Sequence, residues 1–329
     1  MNVSIVIPCL NEEENVEACL CSLLKQRYGH NRYEIIVVDN GSTDRSPEII
    51  AEIVKKNTNV HLINEPQKGT APCRNAGIKA AKHDHIALID ADCEAPPRWL
   101  EILVEHYREL HRKDQEIIGV GGSNIPPKHS GSFIRAIGIA LDSYIGSFNS
   151  VQGRKFNKDS IVPSISTVNA LYDKQVINQI GCFDASLSDE AEDADLNFRI
   201  NLAGYKLYYI PESYVWHKMR PTAKTWLKNM FRYGKGRARL LKRYPKMWSI
   251  NFVLPIFFFC AMILTLLIPL SKIFLLPTLY VPLIFFFSLI QCNKYKSKNM
   301  IFHVMLVYYI EHIGYAAGEI YGLLNPNVK

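Results

Sequence analysis

Four times in its first ninety residues the chain sets down a short apolar run, ends it in polar turn residues and passes into a helical pattern. Residues 3–7 end at Pro8, and NEEEN then opens a helix with Val16, Cys19, Leu20, Leu23 and Leu24 on one face. Residues 33–38 lead through Asp39-Asn40-Gly41-Ser42-Thr43-Asp44 into a helix over 47–56, with Asp44 or Ser46 as its cap. Residues 59–63 pass through EPQKGT into a helix over 72–81, and the run in HIALIDADC delivers Asp90 and Asp92. Such alternation implies βαβ crossovers and a parallel sheet covered on both faces. Ligands of such sheets gather outside the carboxyl ends of the strands. Those ends carry Pro8, Asn11 and Glu12, then Asp39 and Asp44, then Lys68 and Gly69, then Asp90 and Asp92, which together form one polar rim. Two carboxylates a residue apart repel unless a divalent cation or donating hydroxyls partner them.

Beyond Pro96-Pro97 a helix is expected over 99–111 and a strand over 117–120, running into Gly121-Gly122-Ser123-Asn124. That glycine pair fits neither phosphate-loop pattern and reads as a tight turn or a close backbone approach. Residues 132–148 have a mixed apolar face, and the polar stretch 151–159 is expected as a loop near the acceptor. A strand is expected over 164–172, a turn at IGCFD, then a helix packed by Leu196 and Ile200 that ends near Gly204. Glu192 and Asp193 sit at its amino end, where the macrodipole favours anions. A last strand, 205–210, is expected to stop at Pro211. His217 follows Trp216 and by itself reads first as a core histidine packed beside that tryptophan.

The strings SIVIPCLNEEENV, IIVVDNGSTDRS, KGTAPCRNAG, ALIDADC, AEDADLNFRI and GYKLYYIPESYVWH, in that order over about residues 3–217, resemble the family 2 inverting glycosyltransferases. The resemblance implies an α/β GT-A fold, Rossmann-like, with a mostly parallel sheet and helices on both faces. It implies that Pro8, Asn11 and Glu12 form a nucleotide-contacting turn and that Asp39 bonds the base, typically uracil. Lys68, Gly69 and Arg74 would close over the nucleotide, with Lys68 or Arg74 near base or phosphate. Asp90 would lie near the ribose, Asp92 would hold Mn2+ or Mg2+ on the diphosphate, and His217 would be a further metal ligand. Imidazole suits manganese better than magnesium. Asp193 matches the catalytic base, which takes the acceptor hydroxyl's proton during direct, inverting displacement. Glu192 would support Asp193 or the acceptor.

The second half has another character. The formal charge of +7 is concentrated there, since no Asp or Glu occurs between Glu212 and Glu311. Residues 220–246 set cations among Trp226, Leu227, Met230, Phe231 and Tyr233, a pattern for an amphipathic helix on an anionic bilayer surface and not for nucleic acid. Asn229, Arg232 and Tyr233 stand where processive members of the family carry Q-x-x-R-W. Arg232 would then meet the diphosphate or acceptor, while the departure, NMFRY, speaks against polymerisation. Residues 251–270 and 273–290 are two apolar stretches of spanning length, expected as a transmembrane helical hairpin. Residues 300–324 contain Glu311, His312 and Glu319 and are expected as an interfacial helix before a third span.

The expected organisation is therefore a GT-A domain over 1–219, a basic interfacial segment over 220–248, a hairpin over 249–291 and an interfacial or third membrane helix over 299–324. Eight cysteines without C-x-x-C spacing read as reduced thiols, and the amino terminus has no basic n-region, which puts the catalytic domain on the cytosolic side of the plasma membrane. The expected activity is metal-dependent transfer from a nucleotide-sugar, a UDP-sugar, to a lipid-linked saccharide, polyprenyl phosphate or surface polysaccharide. The alternatives are a processive polysaccharide synthase and a non-catalytic sugar-nucleotide-binding subunit. A soluble dehydrogenase is disfavoured because no glycine fingerprint follows the first strand.

Overall fold

The computed structural model describes residues 1–147, 155–187, 190–265 and 271–326. It divides into two compact units, Met1–Ile125 with Lys155–His217, and Pro126–Arg154 with Lys218–Lys329. A single boundary near residue 219 was the expectation; in this division residues 126–147 also group with the carboxyl-terminal part.

The elements are β1 (Val3–Cys9), α1 (Val16–Leu24), β2 (Tyr33–Asp39), α2 (Ser46–Lys56), β3 (Val60–Asn64), α3 (Thr70–Ala80), β4 (His85–Leu88), β5 (Cys93–Glu94), α4 (Trp99–Lys113), β6 (Ile117–Ile125), α5 (Ser132–Leu141), α6 (Tyr144–Ser147), β7 (Ser160–Val162), β8 (Ala170–Asp173), α7 (Lys174–Gln179), α8 (Glu192–Leu202), β9 (Lys206–His217), α9 (Ala223–Arg243), α10 (Ile250–Leu264), α11 (Tyr280–Lys294) and α12 (Ile301–Leu324).

In the first unit the sheet runs β3-β2-β1-β4-β8-β6-β9-β5, with β7 on β9. β3, β2, β1 and β4 are parallel, as strand–helix alternation requires. The expectation of a mostly parallel sheet is corrected beyond them. β8 is antiparallel to β4 and β6, β5 and β7 are antiparallel to β9, and β6 and β9 run parallel. The alternation that signals parallel pairing lapses after α4, so the sequence carries no sign of these pairings. Every residue of β2 is buried, and β1 is buried except at Pro8, so both faces of the sheet are covered there. Val16, Leu20, Leu23, Trp99 and Leu103 close the core beside Ile5 and Ile7.

Two departures position the site. The glycine pair lies inside β6, where a Cβ on Gly122 would fall 1.9 Å from the Ser213 carbonyl oxygen. Close backbone approach is thus the reason for the pair. β9 does not stop at Pro211 but continues to His217. Its register on β6 shifts between Gly121, opposite Tyr209, and Ser123, opposite Tyr214. Proline is tolerated there because a bulge needs no donor from it. The expected strand over 164–172 shortens to β8, and of the expected loop over 151–159, residues 151–154 lie outside the described residues.

In the second unit, α9 buries Trp226, Met230 and Leu241 and leaves Lys224, Lys228 and Arg243 exposed. Its partner is α12. A Cβ on Gly234 would lie 2.0 Å from the Tyr315 carbonyl oxygen, and one on Gly318 2.0 Å from that of Phe231. Among the described residues, Lys298–Leu324 is the one helical stretch long and apolar enough to cross a membrane, and half of its apolar window is buried within the protein. The hairpin appears differently from expectation. α10 has 15 residues with Pro255 inside, and residues 266–270 lie outside the described residues. The second stretch is not one helix: Lys272–Leu279 forms 3-10 turns, and α11 begins at Tyr280 with Pro282 in its first turn, where a missing N–H costs little. At 1.5 Å per residue its 15 residues reach about 22 Å, less than the roughly 30 Å of a hydrocarbon core.

Candidate active site

The first three strand ends are laced by hydrogen bonds. Asn11, at φ 55°, accepts from the Thr43 N–H at 2.8 Å and donates its own N–H to Ser42 Oγ at 2.9 Å, while the Glu12 N–H reaches Ser46 Oγ at 2.8 Å. The turn after β1 therefore leans on the turn after β2. Asp39 accepts from the N–H groups of Gly41 and Ser42 at 3.0 and 3.2 Å. Asn40 donates to the carbonyls of Glu65 and Gln67 and accepts from the Gly69 N–H, all at 2.8 Å. Lys68 donates to the Asn40 carbonyl at 2.6 Å. Asn11, Glu12, Asp39 and Lys68 thus belong to one collar, and Pro8 precedes it within β1, paired in register with Val38.

Arg74, expected near base or phosphate, gives both terminal nitrogens to carboxylates. Nη1 donates to Glu192 at 2.6 Å and Nη2 to Asp90 at 3.0 Å, and its side chain is only 3% exposed. Phe183 lies under the guanidinium, 5.4 Å from ring centroid to Cζ. Burial alone would lower the Arg74 pKa, but Asp90 and Glu192 outweigh it and raise the value. The physical reason for this placement is local. A buried guanidinium needs anions, and the amino end of α8 supplies Glu192 and Asp193 where the helix dipole already tolerates them. Ala191, in left-handed conformation at φ 63°, turns the chain into that first helical turn. Burial pushes the Glu192 carboxyl up to about 7, with Arg74 pulling the other way. Asp193 accepts from the Ala194 N–H at 2.7 Å.

The end of β9 brings His217 opposite Cys93 of β5. His217 Nε2 lies 3.4 Å from Asp92 Oδ2, and Cys93 Sγ lies 3.5 Å from Asp92 Oδ1. The Asn124 amide nitrogen approaches His217 Nδ1 at 3.3 Å. Asp92, Cys93 and His217 offer ligand atoms within 4.8 Å of one another, the one such group of three or more among the described residues. Burial, then Asp92, pushes the Cys93 thiol well above its usual range. As a donor set, an imidazole and a carboxylate suit Mn2+ or Mg2+, so the residues expected to bind metal fit that role chemically.

The expected residues therefore fall into three groups: the collar, the Arg74 cluster with Asp90, Glu192 and Asp193, and the Asp92–His217 pair. Arg232 belongs to the second unit, on α9, where Nη2 donates to Asn229 at 2.8 Å. Sequence reading missed the asparagines that hold these pieces. Asn75 exchanges hydrogen bonds with the backbone of Phe183 at 2.8 and 2.9 Å, fixing the segment beneath Arg74. Asn169, fully buried, accepts from Trp99 and Ser213 and donates to the Ser123 carbonyl, tying β6 to β9. Only its place beside Arg74 in CRNAG hinted at Asn75, and nothing marked Asn169.

Residues 4–181 match the family model described as "Glycosyl transferase family 2". The chain is 30% identical over 243 residues to glycosyltransferase AglE of Haloferax volcanii, covering 72% of this chain and 73% of that protein. It is 24% identical to dolichyl N-acetyl-alpha-D-glucosaminyl phosphate 3-beta-D-2,3-diacetamido-2,3-dideoxy-beta-D-glucuronosyltransferase of Methanococcus voltae, over 73% of this chain and 74% of that one. Among solved structures it resembles the mannosyltransferase PcManGT of Pyrobaculum calidifontis in complex with GDP-Man and Mn2+. That likeness has a TM-score of 0.63 at 14% identity, covers 94% of this chain and 86% of that one, and bears on the fold alone.

Proposed function

Because the chain belongs to glycosyltransferase family 2, we propose that it moves a single sugar from a nucleotide-sugar, a UDP-sugar, to a lipid-linked acceptor at a membrane surface, with Asp193 as base. The observation that carries this reading is the tie from Asp90 through Arg74 to Glu192, which couples the end of β4 to the helical turn bearing Asp193. Asp193 takes the proton of the acceptor oxygen as that oxygen attacks the anomeric carbon, and direct attack inverts configuration. The collar of Asn11, Glu12, Asp39 and Lys68 receives the nucleoside, and Asp90 lies toward the ribose. Asp92 and His217 would hold Mn2+ or Mg2+, and a bound cation there offsets charge on the departing diphosphate.

The acceptor class is supported by the Methanococcus voltae relative, named for a dolichyl phosphate-linked sugar. Metal use is supported by the approach of His217 Nε2 to Asp92 at 3.4 Å with Cys93 beside them, and the fold relative PcManGT was itself solved in complex with Mn2+. Membrane attachment is supported by the exposed Ile250, Phe257, Leu279, Phe286 and Phe302 of the second unit together with the apolar stretch Lys298–Leu324. The test is transfer from labelled UDP- and GDP-sugars in native membranes, with and without Mn2+, followed by identification of the product. Inverted, lipid-extractable product that Asp193→Asn abolishes is expected. Undiminished transfer by Asp193→Asn overturns the assignment of the base.

A further inference from the structure

We propose that Cys93 is a third donor beside Asp92 and His217 and gives their site affinity for a thiophilic divalent cation, Zn2+, in competition with the harder ion of the transfer reaction. The inference rests on the reading that Asp92 and His217 hold a cation. Its own support is the strand register. Cys93 and His217 are antiparallel partners, so their side chains leave the same face of the β5–β9 pair. Asp92, one residue earlier, is in the turn that enters β5 and brings its carboxylate between them, 3.5 Å from the sulfur and 3.4 Å from the imidazole nitrogen.

Those spacings suit a tetrahedral ion. Bond lengths of about 2.3 Å to sulfur and about 2.1 Å to nitrogen or oxygen give S···O edges of roughly 3.6 Å and N···O edges of roughly 3.4 Å. The two short contacts use different oxygens of the carboxylate, so Asp92 would meet the cation through both of them. Cys93 is 1% and Asp92 8% exposed, so the donors are already desolvated and held by packing. Mn2+ and Mg2+ gain little from a thiol, whereas zinc and cadmium are drawn to it. On binding, the sulfur–metal bond replaces the S–H bond and the proton goes to solvent.

The test uses the full chain in detergent, stripped with chelator and titrated with Cd2+ as the spectroscopic probe and with Zn2+ against a competing chelator dye. One equivalent of Cd2+ should produce the thiolate-to-cadmium charge-transfer band. Cys93→Ser and Cys93→Ala should both lack it and bind Zn2+ at least about tenfold more weakly, the low end of what losing even an outer-shell partner costs. Using both variants, each checked by circular dichroism, separates ligation from packing. Absence of the band in the wild type, or its persistence in both variants, overturns the proposal, the seven other cysteines being common to all three proteins. Mn2+ binding followed by electron paramagnetic resonance, in wild type and in Asp92→Asn, tests the parent reading separately. Mn2+ binding that ignores Asp92 sinks that reading, and Mn2+ binding lost in Asp92→Asn without a thiolate band sinks only the role of Cys93.

Discussion

The guanidinium of Arg74 meets the carboxylate of Glu192 at 2.6 Å while its other terminal nitrogen holds Asp90, so one buried cation joins α3, the turn after β4 and the first turn of α8. If this cation sets the place of Asp193, its loss should act on turnover before donor binding. Arg74→Lys keeps the charge but cannot fork between two carboxylates. A misplacement of about 1 Å costs on the order of a hundredfold, so kcat should fall by that order while KM for the donor stays within a few-fold. A raised KM with kcat intact would put Arg74 on the donor instead. Arg74→Met leaves two partly or wholly buried carboxylates unpaired and should cost about 3–5 kcal/mol of stability.

The Glu192 carboxyl, pushed up to about 7 from its ordinary 4.5 by burial, links pH to stability. A folded pKa above the unfolded one means that the contribution is whole below about pH 4.5 and is lost as pH climbs through about 7. A shift of this size is worth about 3 kcal/mol. Glu192→Gln mimics the protonated form, so its Tm should match the wild type near pH 5 and exceed it progressively toward pH 8. A constant Tm difference across that range would mean that Arg74 keeps Glu192 ionised throughout.

The polar rim was readable because strand, turn and helix each leave a local periodic trace, and β1 to β4 fall where those traces put them. The contact of Arg74 with Glu192 was not legible because the two lie 118 residues apart and no local pattern reports a contact of that span. The end of β9 was misjudged for a related reason. Pro211 stops a regular strand, but a register shift against Gly121 and Ser123 lets it pass, and such a shift depends on the neighbouring strand. The antiparallel β8 and the buried Asn169 are likewise products of long-range pairing. The membrane half was read from hydropathy, which gives length and not continuity, so the 3-10 turns at Lys272–Leu279 left no sign.

Asn124 should control how well His217 binds a cation. Its amide lies 3.3 Å from Nδ1, the ring nitrogen turned away from Asp92; with the amide oxygen turned to that nitrogen it would accept the Nδ1 proton, leave Nε2 bare for a cation and hold the ring's orientation. Outer-shell partners of this kind are worth roughly 10–100-fold in metal affinity. Asn124→Ala should therefore raise the Mn2+ concentration for half-maximal transfer by that factor while kcat at saturating Mn2+ changes little. Unchanged Mn2+ dependence would remove His217, or its orientation, from the metal site.

Close packing of α9 on α12 makes the sign of a glycine substitution diagnostic. In an open helix, Gly→Ala stabilises by about 1 kcal/mol because alanine is the better helix former. At Gly318 a Cβ would meet the Phe231 carbonyl oxygen at 2.0 Å and the Lys235 nitrogen at 3.0 Å, both backbone atoms that a rotamer change cannot move. Gly234 faces Tyr315 and Glu319 in the same way, from the opposite helix. Relief requires the helices to part, and overpacking of this kind costs about 1–3 kcal/mol. Gly318→Ala and Gly234→Ala should each lower Tm of the detergent-solubilised chain. The pair, sharing one seam, should cost less together than the sum of the single changes, since one separation of the helices relieves both clashes. A raised Tm in either single variant would mean that the helices lie further apart than this packing requires.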